Sequence, residues 1–91
     1  MAQTVAQVLA AATDSVTLIN KINDGSMDLV LASMTQAKIN EMVQRNVDHL
    51  TTILSYDSSM EGVPNIVDSS EDKSSYTTAI TTGNTYISNN S

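Results

Sequence analysis

Few residues in this chain are equipped for acid–base or nucleophilic chemistry. It has one His (His49), one Arg (Arg45), three Lys, ten carboxylates and no Cys. His49 follows Asp48 and stands one helical turn after Arg45. As a general base it would need a nucleophile to deprotonate and an acid to orient its ring. Ser and Thr are so abundant that one lying nearby says nothing. On a helical wheel His49 borders an apolar stripe, where a His ordinarily serves structure. No catalytic residue is assigned.

Metal chemistry has equally thin support. Asn23-Asp24-Gly25-Ser26-Met27-Asp28 places oxygen ligands around a Gly, but lacks the Asp-x-Asp-x-Asp-Gly spacing and distal Glu of a calcium loop. Asp68, Glu71 and Asp72 read more simply as an acidic helix N-terminus than as a cation site. There is no Glu-x-x-His pair for a di-iron bundle. Gly25, Gly62 and Gly83 are isolated, so no phosphate loop exists. Neither a metal nor a cofactor is expected.

The 91 residues make one small domain, with a net charge of −6, 41% hydrophobic residues and only three aromatics, all Tyr. This excludes a disulfide scaffold and a Cys-based zinc site. Nucleic acid is disfavoured by sign: residues 1–45 carry four acids and three bases, residues 46–91 six acids and one Lys. The acidic second half could instead attract a basic partner. No membrane span is expected, because apolar runs fall far short of about 18 residues. Residues 1–12 lack the positive region of a secretory signal. A domain this size buries only about 60–65% of its unfolded surface. Without disulfides, and with almost no aromatic core, oligomerisation or docking is the expected source of extra stability. Ser, Thr and Asn number 31 of 91. Such a surface suits either a mildly acidic soluble protein or a subunit packed among copies of itself or of partners.

The elements that must position these residues read as helices. Over 4–23, Thr4 and Gln7 have capping-box spacing, and Val5, Val8, Leu9, Ala12, Val16 and Ile19 share a stripe about 100° wide. Leu18 and Ile22 lie off it. Gly25 can take the left-handed conformation that stops a helix. From Met27 to Leu54 the pattern is again helical, with Ser26 as a plausible cap. Met27, Val30, Leu31 and Met34 share one face, however, and Ile39, Met42, Val43, Val47, Leu50, Ile53 and Leu54 another, about 160° away. Either one helix of about 42 Å buries opposite sides at its two ends, or it breaks near Ser33-Met34-Thr35-Gln36, which has capping-box spacing. Residues 55–70 are rich in turn formers, with Met60, Val63, Ile66 and Val67 to drape them over the helices. Tyr76 to Thr82 has β composition. Even so, Tyr76, Ala79, Ile80, Gly83, Tyr86 and Ile87 share a helical face, and the spacing predicts a helix over 71–88, with Asp68-Ser69-Ser70-Glu71 as its capping box. Residues 89–91 should fray. Gly83 sits on the apolar stripe of that helix, where Gly costs about 1 kcal/mol relative to Ala. With Ala79 it either lets another helix approach closely or marks an early helix end.

Arg45-Asn46-Val47-Asp48-His49-Leu50 and Tyr76-Thr77-Thr78-Ala79-Ile80-Thr81-Thr82-Gly83-Asn84-Thr85-Tyr86-Ile87 resemble paired helices of small helical proteins encoded among the structural genes of tailed bacteriophages. The resemblance covers about 30 residues of the second half, leaves residues 1–38 unmatched and carries no chemical role. It implies a virion component.

The expectation is an all-α domain over 1–91: a small bundle of three helices (4–23, 27–54, 71–88) with a long draped loop between the second and third. Its expected function is that of a non-enzymatic structural subunit of a multi-copy assembly, such as a bacteriophage virion. Its partners would be itself or other virion proteins, with neither nucleic acid nor membrane. The alternative is a small cytoplasmic adaptor or chaperone that binds a partner helix in a groove lined by Met27, Met34, Met42 and Met60. Met27, Val30, Leu31, Met34, Ala79 and Gly83 are the expected partner contacts.

Overall fold

A computed structural model describes residues 3–27 and 32–91. It is an all-α bundle of three helices, with no strand among the described residues: α1 Val5–Asp24, α2 Gln36–Leu54 and α3 Ser74–Asn89. A 19-residue connection joins α2 to α3 and lies over the end of the bundle. The whole measures 41 × 23 × 18 Å. No described helix is long and apolar enough to cross a membrane.

Local chemistry sets the helix ends. The Thr4 hydroxyl accepts from the Gln7 backbone N–H, and the Gln7 side chain accepts from the Thr4 N–H, closing the capping box. At the other end of α1, Gly25 takes a left-handed φ of 79° and its N–H caps the last carbonyls.

The second helix does not start at residue 27. Ala32 to Met34 form a turn, and Thr35 is extended at φ −71°, ψ 156°. Its hydroxyl accepts from the Lys38 N–H at 3.2 Å, which makes Thr35, not Ser33, the N-cap. The turn sets Met34 outside the helix that carries the face from Ile39 to Leu54. A helix of 19 residues spans about 28 Å, so no end projects as a 42 Å helix would.

The third helix starts at Ser74, three residues later than its period suggests. The Asp68 carboxylate accepts from the Asn65 side chain and the Asp68 N–H donates to Asn65 Oδ1, so these residues form a turn instead of a cap. The Ser74 N–H is met by Asp72 Oδ1 at 2.9 Å. Nor does the tail fray at Asn90: its carbonyl accepts from Asn40 Nδ2 at 3.1 Å, and its side chain donates to the Tyr86 carbonyl.

The core joins Val8, Leu9, Ala12, Ile19 and Ile22 of α1 with Ile39, Val43, Val47, Leu50 and Ile53 of α2 and Tyr76 and Ala79 of α3. Ile22 is buried although it lies off the stripe of its helix, because α1 meets both other helices. Ile66 of the loop is fully buried and closes one end. The Tyr56 carbonyl holds it there by accepting from the N–H of both Ile66 and Val67, at 2.8 and 2.9 Å.

At Gly83 the helices approach closely. A Cβ built on it would stand 2.5 Å from Val47 Cγ2, 3.2 Å from Val43 Cγ1 and 3.6 Å from Ile19 Cγ2. The helix continues six residues beyond it, so Gly83 is a packing position and not a stop. Val47 is buried and β-branched, so it can yield only against its neighbours. Replacing Gly83 with Ala gains about 1 kcal/mol of helix propensity and incurs an overpacking cost of about 1–3 kcal/mol. Urea denaturation of Gly83→Ala is expected to show a net loss of up to about 2 kcal/mol, partly restored by adding Val47→Ala. Gly83→Leu should not fold.

Candidate functional site

Ser15 is the one buried polar residue among those described, at 4% exposure. It lies inside the apolar stripe of α1, three residues after Ala12 and four before Ile19. Asn46 and His49 lie three apart on α2, which places both side chains toward it. Ser15 Oγ is 2.9 Å from Asn46 Oδ1 and 2.9 Å from His49 Nδ1. This is the strongest constellation for chemistry in the fold.

Proton counting shows what it can do. Asn46 Nδ2 donates to the Met42 carbonyl at 2.8 Å, which orients the amide and leaves Oδ1 as the acceptor facing Ser15. The Ser15 hydroxyl has one proton and donates it to Asn46 Oδ1. His49 Nδ1 must then donate to Ser15 Oγ. An activated serine needs the opposite polarity, with the imidazole accepting the hydroxyl proton and a carboxylate behind it. The arrangement therefore ties α1 to α2 and satisfies a buried hydroxyl. The sequence does carry a signal for this tie, a Ser within an apolar stripe, but not its partners on another helix.

The expected partner contacts divide into three groups. Ala79, 1% exposed, and Gly83 are buried within the bundle against α1 and α2. They serve the chain's own core and cannot face a partner in this fold. Met27 and Met34 are half-buried at the edge of the core. Val30 and Leu31 lie outside the described residues. Of the other two Met named for a groove, Met42 is half-buried and Met60 is 43% exposed on the loop.

An open groove of about 350 Å³ lies between α1 and α3, lined by Asn23, Thr78, Thr81, Thr82 and Thr85. No titratable side chain lines it. Among the described residues no three His, Asp or Glu converge as metal ligands. Comparison with family models, with curated proteins and with solved structures finds no match for this chain.

The bond directions at Ser15 fix the His49 tautomer. A long-range ¹H–¹⁵N spectrum above the His titration range should show the proton on Nδ1. The Ser15→Ala variant should lose about 1–2 kcal/mol of stability and release the tautomer. A wild-type spectrum with the proton on Nε2 would contradict the assignment.

Proposed function

We propose that the chain is a non-enzymatic structural subunit of a multi-copy protein assembly, and that this assembly is a bacteriophage particle, as the resemblance of residues 45–50 and 76–87 suggests. The observation that carries the reading is the surface of α3. From Ser74 to Ser91 there is no charged side chain, and the exposed positions are Ser, Thr and Asn. A chain of charge −6 repels its own copies, and an uncharged helix face is where copies can lie side by side without opposing like charges. Hydroxyl and amide groups both donate and accept, so such a face can meet itself across a symmetry axis.

The Ser15–His49 tie supports the same reading, because it commits the only His to holding two helices together. Met27, Val30, Leu31 and Met34 are proposed as a second contact, at the connection between α1 and α2. The partners are then further copies or other proteins of the particle, and the place of action is the virion.

Size-exclusion chromatography with light scattering, with and without the products of neighbouring genes, tests this. The expected result is a multi-copy species. A stable monomer that captures a single client transiently would contradict it and favour an adaptor. Leu31→Asp should abolish the multi-copy species while leaving the circular dichroism of the isolated chain unchanged.

A further inference from the structure

The charge of the chain is concentrated at one end of the bundle. Described α1 carries Asp14, Lys21 and Asp24; α2 carries Lys38, Glu41, Arg45 and Asp48; α3 carries none. Residues 55–73 hold Asp57, Glu61, Asp68, Glu71 and Asp72 against Lys73 alone, so four of the six net negative charges lie in this one connection. Lys73 forms no described salt bridge there: its Nζ donates to the carbonyls of Ser69 and Glu71, and its charge reaches only Asp72. The described salt bridges are both on α2, where Glu41 meets Lys38 and Arg45.

The same connection holds the two exposed large hydrophobic side chains of the described structure, Met60 at 43% and Val67 at 48%. Both are fixed near Tyr56. The Val67 N–H donates to the Tyr56 carbonyl, and the Met60 N–H donates to the carbonyl of Asp57, the next residue. The loop is thus an ordered platform, anchored by buried Ile66, that shows water two apolar side chains among five carboxylates.

We infer that this platform is a docking surface for a basic, amphipathic segment of a partner protein, whose apolar side chains cover Met60 and Val67 while its Lys or Arg side chains meet the loop carboxylates. This names the partner chemistry for the assembly proposed above and rests on that reading for the partner's place in it. Charge complementarity selects the occupant: in a second copy α1 carries one net negative charge and α2 and α3 none, so no described helix of it offers net positive charge to the loop. Asp57 and Asp72 stay ionised further into acid than an ordinary Asp. Hydrogen bonds from the Ser59 hydroxyl and N–H hold Asp57 below the usual carboxylate range, and the Ser74 N–H and hydroxyl do the same for Asp72. A depressed pKa means the charge survives until the pH falls below the ordinary Asp value, so docking should be insensitive to pH across the neutral range.

The test titrates the full chain with a synthetic Lys/Leu amphipathic helical peptide and with its Glu/Leu counterpart, followed by amide chemical shifts. The Lys/Leu peptide should move signals of residues 57–72, and its affinity should fall about tenfold as salt is raised through the range where the screening length drops from about 10 to 3 Å. Glu61→Lys with Glu71→Lys, at side chains making no hydrogen bond in the fold, should weaken binding at least about tenfold. The charge-matched control Asp14→Lys with Asp48→Lys should not. Met60→Ser with Val67→Ser should weaken binding while keeping its salt dependence. Shifts centred elsewhere, equal loss in the control pair, or equal binding of the Glu/Leu peptide would overturn the inference. Such a failure alongside an intact multi-copy species would leave the subunit reading standing. Peptide docking on a chain that stays monomeric with its gene neighbours would remove the subunit reading and keep the surface.

Discussion

The fold depends on how closely α3 can lie against α2. With no Phe or Trp, the core is filled by Ile, Val, Leu, Ala and a single Tyr, Tyr76. Side chains of that size leave voids unless the backbones approach. Gly83 provides the approach, and Ala79 one turn earlier continues the flat strip. On either side of it the tyrosines set the helix in register. The Thr13 hydroxyl donates to the Leu9 carbonyl, so the Tyr76 hydroxyl, 3.4 Å away, donates to Thr13 and reaches α1. The Tyr86 hydroxyl accepts from Gln36 Nε2 at 3.0 Å and reaches α2. Tyr76 belongs to the core and Tyr86 packs against it, and both hydroxyls find a partner on another helix.

Polar chemistry is divided by place. Inside, one Ser is satisfied by Asn46 and His49, and no buried side-chain nitrogen or oxygen among the described residues lacks a partner. Along α3 the exterior is uncharged, and at the α2–α3 connection it is strongly acidic. A protein that needs only to stay soluble gains nothing from this segregation, since interspersed charges serve solubility as well. The proposed building block would benefit from it, because a neutral side can admit like copies and a charged end a complementary partner.

Much of the fold is legible in the sequence where the determinant is local. The Thr4–Gln7 box, the Gly25 stop and the helical period of Tyr76 to Ile87 all report neighbours within a turn or two. In α3 the period prevails over β-rich composition because all its Thr residues but the half-buried Thr82 are exposed and cost little there. What fails is the choice between equivalent local signals. Ser33-x-x-Gln36 and Asp68-x-x-Glu71 have the spacing of capping boxes, yet Thr35 caps α2 and Asp68 is held in a turn with Asn65. Ala79 and Gly83 are recognisable as a close-packing strip, but periodicity cannot say whether the approaching helix is the chain's own. The Ser15–Asn46–His49 tie joins residues more than thirty apart, and no local pattern encodes that pairing.

The bundle forms its core by itself, and the proposed contacts lie on the uncharged face of α3 and at the connections before and after α2. Hydrogen exchange, compared between the isolated chain and the chain within its assembly, tests this most directly. Amides of Val43, Val47 and Gly83 should be strongly and equally protected in both, while residues 25–35, 55–73 and the exposed Thr face of α3 should gain protection in the proposed assembly. Core amides that exchange freely in the isolated chain, or connections whose exchange does not change, would contradict it.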